Sequence, residues 1–212
     1  KDDDDKSKIT LTGSEVIEGQ DITIAATVDN VPETDLTITL SNGKEITMLA
    51  GEETGSVTYD SREDENYAQG TSTENISITN TSGGNYENLD KSATTTVKVN
   101  DDDDTTTITL TESEVTEGEK ITITATVGKP VTESDLVITL DNGKTITIPV
   151  GESTGKVEYD SRADDVYVQG TDSTTVKISG TSGGNYEALD TTDTTTVTVR
   201  DDKKKKKITL TG

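Results

Sequence analysis

Acidic side chains gathered in a few segments are the part of this sequence that could do chemistry. The chain has 42 Asp and Glu against 19 Lys and Arg, a formal net charge of −23, and it has no His and no Cys. Those absences exclude a Ser-His-Asp triad, a cysteine nucleophile, a zinc site of nitrogen and sulfur ligands, and a disulfide. Oxygen ligands remain, and calcium takes six to eight of them, from carboxylates and loop carbonyls.

The composition also limits the partners and the fold class. A sequence pI near 4.1 argues against nucleic acid, which requires a basic face. No apolar run approaches the roughly 18–20 residues that span a bilayer, so we predict no membrane insertion. The 27% hydrophobic content is close to that of disordered chains, but there are only three prolines. Threonine is abundant and suits the exposed face of a strand, which favours a β protein with a thin core stabilised by divalent cations.

The sequence contains one unit twice. Residues 83–90, GGNYENLD, recur at 183–190 as GGNYEALD, and the Asn-Gly-Lys of 42–44 recurs at 142–144. The period of about 100 residues is that of a whole domain rather than a solenoid repeat. We predict domains over 8–100 and 108–200 and an acidic calcium-binding linker over 101–107. We also predict a linker or tag remnant over 1–7, and a linker with the start of a truncated third repeat over 201–212.

Apolar and polar residues alternate through most of each copy. In 21–28 the residues Ile22, Ile24, Ala26 and Val28 share one face, and the Asn-Gly pair within 41–44 predicts a hairpin turn. About seven short strands per copy predict an all-β fold of two tandem immunoglobulin-like β-sandwich domains. The Cys…Trp…Cys signature of antibody domains is absent, so the term describes architecture alone.

Loops at one end of each sandwich are expected to bring acids together, because successive antiparallel strands place their loops at alternating poles. Crowded carboxylates repel one another unless a cation lies among them, although a solvated acidic loop is the simpler alternative for any single Asp. No contiguous EF-hand spacing is present. The predicted calcium ligands of the first copy and linker are Glu18, Asp60, Asp64, Glu87, Asp90, Asp101, Asp102, Asp103 and Asp104. Those of the second copy are Glu117, Asp160, Asp164, Asp165, Glu187, Asp190, Asp201 and Asp202.

Several segments together resemble the extender repeats of giant bacterial RTX adhesins. They are LDNGKTITIPVGEST at 140–154, DSRADDVY at 160–167, TSGGNYEALD at 181–190 and TTTVTVRDD at 194–202. The resemblance covers nearly the whole chain and is strongest over 136–202. It implies rigid, non-enzymatic Ig-like spacers of type I-secreted proteins on the bacterial cell surface. Such spacers bind calcium within loops and at interdomain linkers, and they hold a distal adhesive domain away from the cell in adhesion and biofilm formation.

The resemblance leaves some features open. The first copy has Glu63 and Glu65 where the second has Ala163 and Asp165, so the first copy departs from the pattern in this loop. The partners expected are calcium ions and neighbouring repeats of the same chain, in a monomer. The alternative function is a ligand-binding module for a glycan or a cell surface. Ice binding through threonine rows, a glycosidase and a basic anchor at Lys203–Lys207 are weaker hypotheses.

Overall fold

The computed structural model of the protein describes residues 5–203, which form two compact units. The first unit comprises 5–65 with Gln69–Asp102, and the second comprises Asn66–Ala68 with 103–203. Residues 1–4 of the remnant predicted over 1–7, and residues 204–212 of the segment predicted over 201–212, lie outside the described residues. Within 5–203 no helix is long and apolar enough to cross a membrane. The regular structure described is all β, which confirms two tandem Ig-like sandwiches.

The first unit contains nine strands in two sheets. In chain order they are β1 (Lys6–Thr12), β2 (Glu15–Ile17), β3 (Asp21–Val28), β4 (Leu36–Leu40), β5 (Glu45–Met48), β6 (Thr54–Asp60), β7 (Ser72–Gly83), β8 (Asn88–Asp90) and β9 (Thr94–Asn100). One sheet has the order β6-β3-β1-β8, and the other has the order β2-β9-β7-β4-β5.

The second unit repeats this plan. Its strands are β10 (Thr105–Thr111), β11 (Ser113–Thr116), β12 (Lys120–Val127), β13 (Leu136–Leu140), β14 (Thr145–Ile148), β15 (Thr154–Asp160), β16 (Asp172–Ser182), β17 (Ala188–Asp190) and β18 (Thr194–Arg200). Its sheets have the orders β15-β12-β10-β17 and β11-β18-β16-β13-β14, so every pairing of the first unit has a counterpart here.

Each unit has two more strands than the roughly seven expected, which in the first unit are β2 and β8. Strand β1 pairs antiparallel with β3 and parallel with β8, whereas β2 crosses to the other sheet and pairs parallel with β9. Strands β2 and β8 have three residues each, and three residues are too few for alternation to be recognised. The crossing brings the segment after β2 next to the end of β9.

A thin apolar core fills each sandwich. Alternate residues of β3 are buried, as the sequence pattern predicted, and Ile24, Leu36 and Ile38 are fully buried at the centre of the first unit. Ile123, Leu136 and Ile138 have the same place in the second unit. Buried Glu18 and Glu117 are the charged exceptions to this apolar interior.

Candidate metal centres

Glu18 is held in the interior of the first unit by a tight turn after β2. Its backbone N–H donates to Asn100 O at 2.9 Å, and the N–H of Gly19 donates to Arg62 O at 2.9 Å. Gly19 has φ +75°, and a Cβ there would lie 2.9 Å from the Cβ of Asp64. Only glycine therefore permits both the left-handed backbone and the close approach of Asp64.

Arg62 supplies the positive charge at this end of the first unit. Its Nε donates to Oε2 of Glu18 at 2.7 Å, and the same guanidinium pairs with Oδ1 of Asp101. The glutamate side chain is 0% exposed and that of Arg62 is 20% exposed, so this is a largely buried ion pair. Asp101 is fixed further because its Oδ2 accepts the N–H groups of Gln69 and Gly70 at 2.8 and 2.6 Å.

Three carboxylates of the first unit come together beside this ion pair. Glu18, Asp64 and Asp102 each offer one oxygen, and these oxygens lie within 4.8 Å of one another. We call them the first carboxylate cluster. Oε1 of Glu18 and Oδ1 of Asp102 are buried and have no hydrogen-bond partner. Unsatisfied buried carboxylate oxygens are costly, and three close hard-oxygen donors fit a divalent cation of the calcium type.

The second unit has a matching set, the second carboxylate cluster, formed by Glu117, Asp164 and Asp202. Gly118 has φ +79°, and a Cβ there would lie 2.8 Å from the Cβ of Asp164, which repeats the contact at Gly19. The side chain of Glu117 is 1% exposed. The two clusters have equivalent positions in the repeat, and each unit thus brings three acidic side chains within reach of one ion.

Arg162 makes more contacts than its counterpart in the first unit. It pairs through Nε with Glu117 at 3.0 Å, through one terminal nitrogen with Asp201 at 3.0 Å and through the other with Asp172 at 2.6 Å. It also donates to Gly170 O at 2.6 Å. Burial acts to lower the pKa of Arg162, but the hydrogen bonds that it donates to Asp172 and Glu117 outweigh burial and raise the pKa.

The carboxylate of Asp201 is held ionised by its neighbours. Its Oδ2 accepts the N–H groups of Gly170 at 2.9 Å and Gln169 at 2.7 Å. The Gly170 N–H is the largest cause of a lowered pKa, against a smaller opposing effect of burial, and Arg162 lowers it further. Asp201 thus anchors the long loop of the second unit to the end of β18.

Several other predicted ligands stabilise their own turns. Oδ1 of Asp90 accepts the N–H of Ser92 at 3.0 Å, and Oδ1 of Asp190 accepts the N–H of Thr192 at 2.9 Å. The Ser92 bonds lower the pKa of Asp90 and the Thr192 bonds lower that of Asp190. Asp165 accepts the N–H of Tyr167 at 2.7 Å. Their role as calcium ligands stays a prediction.

Asp60, Asp160, Glu87 and Asp103 are not members of either cluster. Asp60 and Asp160 are exposed at the ends of β6 and β15, and Asp160 is 3.9 Å from the Lys120 ammonium. Glu87 and Asp103 are exposed. In the second unit Oε2 of Glu187 accepts the backbone N–H of Asp104 at 2.8 Å, so these two residues are next to each other.

Sequence reasoning missed the two arginines. Arg62 and Arg162 follow the same Asp-Ser pair in both copies, and the chain contains only one further arginine, Arg200. Two of the three arginines stand at equivalent positions inside acidic loops, and this repetition was the available indication of their role. The structure shows that part of the charge compensation expected from a bound cation comes from these side chains.

Comparison with known proteins assigns the family. A family profile described as the LapA domain matches residues 5–102 and again 104–202. The chain therefore belongs to the LapA domain family, which is adhesin-related. Membership supports an adhesin-related structural module rather than an enzyme, and a cell-surface family is consistent with a surface location. No curated protein matches the chain.

Among solved structures, three similar ones have low identity. The calcium binding domain CBD12 of CALX1.1 is 12% identical, with a TM-score of 0.36, 91% of this chain covered and 99% of that one. A protein of unknown function from Porphyromonas gingivalis W83 is 12% identical, with a TM-score of 0.24 and coverages of 92% and 99%. The I9-I11 tandem of titin is 11% identical, with a TM-score of 0.27 and coverages of 92% and 66%.

Proposed function

We propose that the chain is a calcium-stabilised extender of a large bacterial surface adhesin, a spacer whose two domains are made rigid by calcium in each domain and at the linker. The observation that carries the proposal is the first carboxylate cluster, in which Glu18 and Asp102 each keep one buried oxygen without a hydrogen-bond partner. Arg62 pairs with the other oxygen of Glu18. The remaining negative charge of the cluster is left for an added cation to balance.

The residues that would hold calcium are the members of the two clusters. Glu18, Asp64 and Asp102 supply hard oxygens in the first unit, and Glu117, Asp164 and Asp202 supply them in the second. Bound calcium supplies positive charge that offsets the mutual repulsion of the carboxylates. A site of the extracellular type, with Kd of about 10⁻⁴–10⁻³ M, stabilises the native state by about 2.7 kcal/mol at 100 times Kd.

Calorimetry with calcium, magnesium or chelator tests this part of the proposal. Calcium should raise the melting temperature of the wild-type chain, and Glu18→Gln should remove most of the increase in the first unit. Glu52→Gln is the matched control, since it removes the same charge from an exposed position outside the clusters. An equal melting temperature in calcium and in chelator refutes the calcium sites, and so does an equal response of both variants.

The linker part of the proposal rests on how the run of four aspartates is held. Asp101 and Asp102 belong to the first unit, where Asp101 is bound by Arg62 and two backbone N–H groups. Asp103 and Asp104 belong to the second unit, where the N–H of Asp104 binds Glu187. Four adjacent acids repel one another, and a cation bound by them removes that repulsion and restricts the linker torsions.

Small-angle scattering tests the linker separately from the domains. Replacing Asp101 or Asp102 would also damage the first unit, so the sharper variant is Asp103→Ser with Asp104→Ser. Calcium should narrow the distance distribution of the wild-type chain but not that of this variant, while both keep the calcium-dependent melting temperature. The control, Glu45→Gln with Glu52→Gln, carries the same charge change. A variant that responds to calcium like the wild type contradicts the proposal that calcium restricts the linker, and it leaves the proposal for the domain sites unaffected.

A further inference from the structure

In the second unit the segment Asn66–Ala68, with Tyr67 as its middle residue, packs against the turn that contains Tyr186. The ring of Tyr67 lies 5.6 Å from the ring of Tyr186, centroid to centroid, with the planes tilted by 30°. The Tyr67 hydroxyl donates to Pro130 O at 2.7 Å. Both residues belong to the second unit, in which the Asn66–Ala68 segment is separate in sequence from the rest.

Backbone hydrogen bonds hold the same segment on both sides of the ring. The N–H of Ala68 donates to Asn185 O at 3.0 Å, and the N–H of Glu187 donates to Asn66 O at 3.1 Å. Tyr67 and Tyr186 form an antiparallel bridge between them. The segment is therefore held like a short added strand, in which backbone groups give affinity and one side chain gives specificity.

The first unit has an equivalent receiving surface, and no segment within residues 5–203 is docked on it. Val31, Asn85, Tyr86 and Glu87, the counterparts of Pro130, Asn185, Tyr186 and Glu187, line a cleft of about 640 Å³.

Two features give this cleft the shape of the receiving turn in the second unit. Tyr86 donates to Asn30 O at 2.6 Å, as Tyr186 donates to Lys129 O at 2.5 Å. Asn85 and Asn185 both have positive φ, 59° and 54°. The cleft is therefore preformed for a segment like Asn66–Ala68.

The second unit also exposes the counterpart of the docked segment. Val166, Tyr167 and Val168 are 57%, 74% and 96% exposed, a run of three adjacent apolar side chains in water. Asp165 shapes this loop by accepting the Tyr167 N–H at 2.7 Å and by binding the side-chain amide of Gln169. Exposed apolar patches of this kind mark interaction surfaces.

We propose that Val166–Val168 of one copy of the chain docks into the Val31 and Asn85–Glu87 cleft of a second copy. The Tyr167 ring lies against Tyr86, its hydroxyl donates to the Val31 carbonyl, and the backbone of the loop pairs with Asn85 and Glu87. Loop and cleft are different surfaces on different units, so the contact is head-to-tail and adds copies in a row instead of closing a symmetric pair. The proposal does not depend on calcium in the clusters, and it departs from the monomer expected from the sequence.

Weak self-association is the measurable consequence, because a three-residue contact is far below the roughly 1,000 Å² of a stable interface. Unlabelled chain titrated into ¹⁵N-labelled chain, up to about 1 mM, should shift the amide signals of Gly84–Glu87 and of 166–168. Tyr167→Ala in the unlabelled chain should remove the shifts at Gly84–Glu87. Tyr167→Phe should keep part of them, since the ring remains and only the hydroxyl is lost.

Two further variants make the result specific. Val150→Ala removes another exposed apolar side chain of the second unit and should leave the shifts unchanged. Tyr86→Ala in the labelled chain removes the receiving ring, and the wild-type fingerprint of the other amides verifies that it folds. The proposal is overturned by the absence of concentration-dependent shifts, or by shifts at the cleft that persist with Tyr167→Ala.

Discussion

The acidic ends of the two units contain equivalent carboxylate clusters, but they differ in how fully arginine side chains pair with the carboxylates. Arg162 binds Glu117, Asp201, Asp172 and a backbone carbonyl, whereas the partners of the Arg62 side chain among residues 5–203 are Glu18 and Asp101. Asp172 has Ser72 as its counterpart. The first unit also keeps unpartnered buried oxygens on Glu18 and Asp102. The carboxylates of the second unit are thus compensated more fully by arginine, and we expect the first unit to depend more on an added cation.

Removing the arginine has the largest expected effect on this comparison. In chelator, Arg62→Gln leaves Glu18 buried without a cation and should lower the stability of the first unit by about 3 kcal/mol. Arg162→Gln should destabilise the second unit as well, because Glu117, Asp172 and Asp201 all lose their ion pair with the arginine. Hydrogen exchange in β3 and β12 reports on the two units separately. Unchanged exchange in both strands would show that the ion pairs are not needed.

Replacing the glycine of each turn has the next largest expected effect. Gly19→Ala and Gly118→Ala each place a Cβ against Asp64 or Asp164 at a positive φ, and each should cost about 1–2 kcal/mol from the backbone conformation alone. The displaced aspartate should also weaken calcium binding, which calorimetric titration measures. Gly143→Ala has φ +79° with nothing near its Cβ, so it should cost stability without changing calcium affinity.

Exchanging the residue that differs between the arginine sites is a smaller and sharper test. Asp172 is 66% exposed, so its pair with Arg162 should contribute about 0.2–1 kcal/mol. Asp172→Ser should make the second unit more calcium-dependent, and Ser72→Asp should make the first unit less so. The two melting transitions in chelator and in calcium provide the measurement. If the calcium responses stay in their original order, this residue does not set the difference.

The smallest expected effect is on the stability of the second unit at acidic pH. The pKa of Asp201 is lowered in the folded state, chiefly by the Gly170 N–H, so its contribution to stability is present above the unfolded pKa. That contribution is lost as pH falls through the lower folded value. Asp201→Asn should therefore flatten the acid side of the pH-stability curve of the second unit. Unfolding followed between about pH 2 and 5 measures the slope, with Asp141→Asn as the control.

The fold was predictable because it depends on local patterns. Alternation identified β3 and β12, and the Asn-Gly turn appears as expected, with Gly43 at φ +80° and its N–H bonded to Leu40 O at 2.9 Å. The short strands β2 and β8 were missed, because their pairing depends on partners distant in sequence. The parallel pairings of β1 with β8 and of β2 with β9 also could not be predicted, because an up-and-down order makes neighbouring strands antiparallel.

The candidate site was predictable in part for the same reason. Glu18, Asp64 and Asp102 were expected to converge from three segments, and the structure brings them together. Sequence alone could not separate them from Asp90 and Asp190, since an Asp next to a turn can equally bond the N–H two residues on. The burial of Glu18 beside Arg62 required knowledge of which loops touch.

The parallel pairing of β2 with β9 has a mechanical consequence for a spacer under load. A pull on the two ends of the first unit draws β2 and β9 in opposite directions along their axes. The ladder from Glu15↔Lys98 to Ile17↔Asn100 is then loaded in shear, with its hydrogen bonds strained together instead of one after another. The matching ladder of the second unit has four residue pairs instead of three, from Ser113↔Val197 to Thr116↔Arg200. Under tension, the first unit is therefore the one expected to yield at lower force.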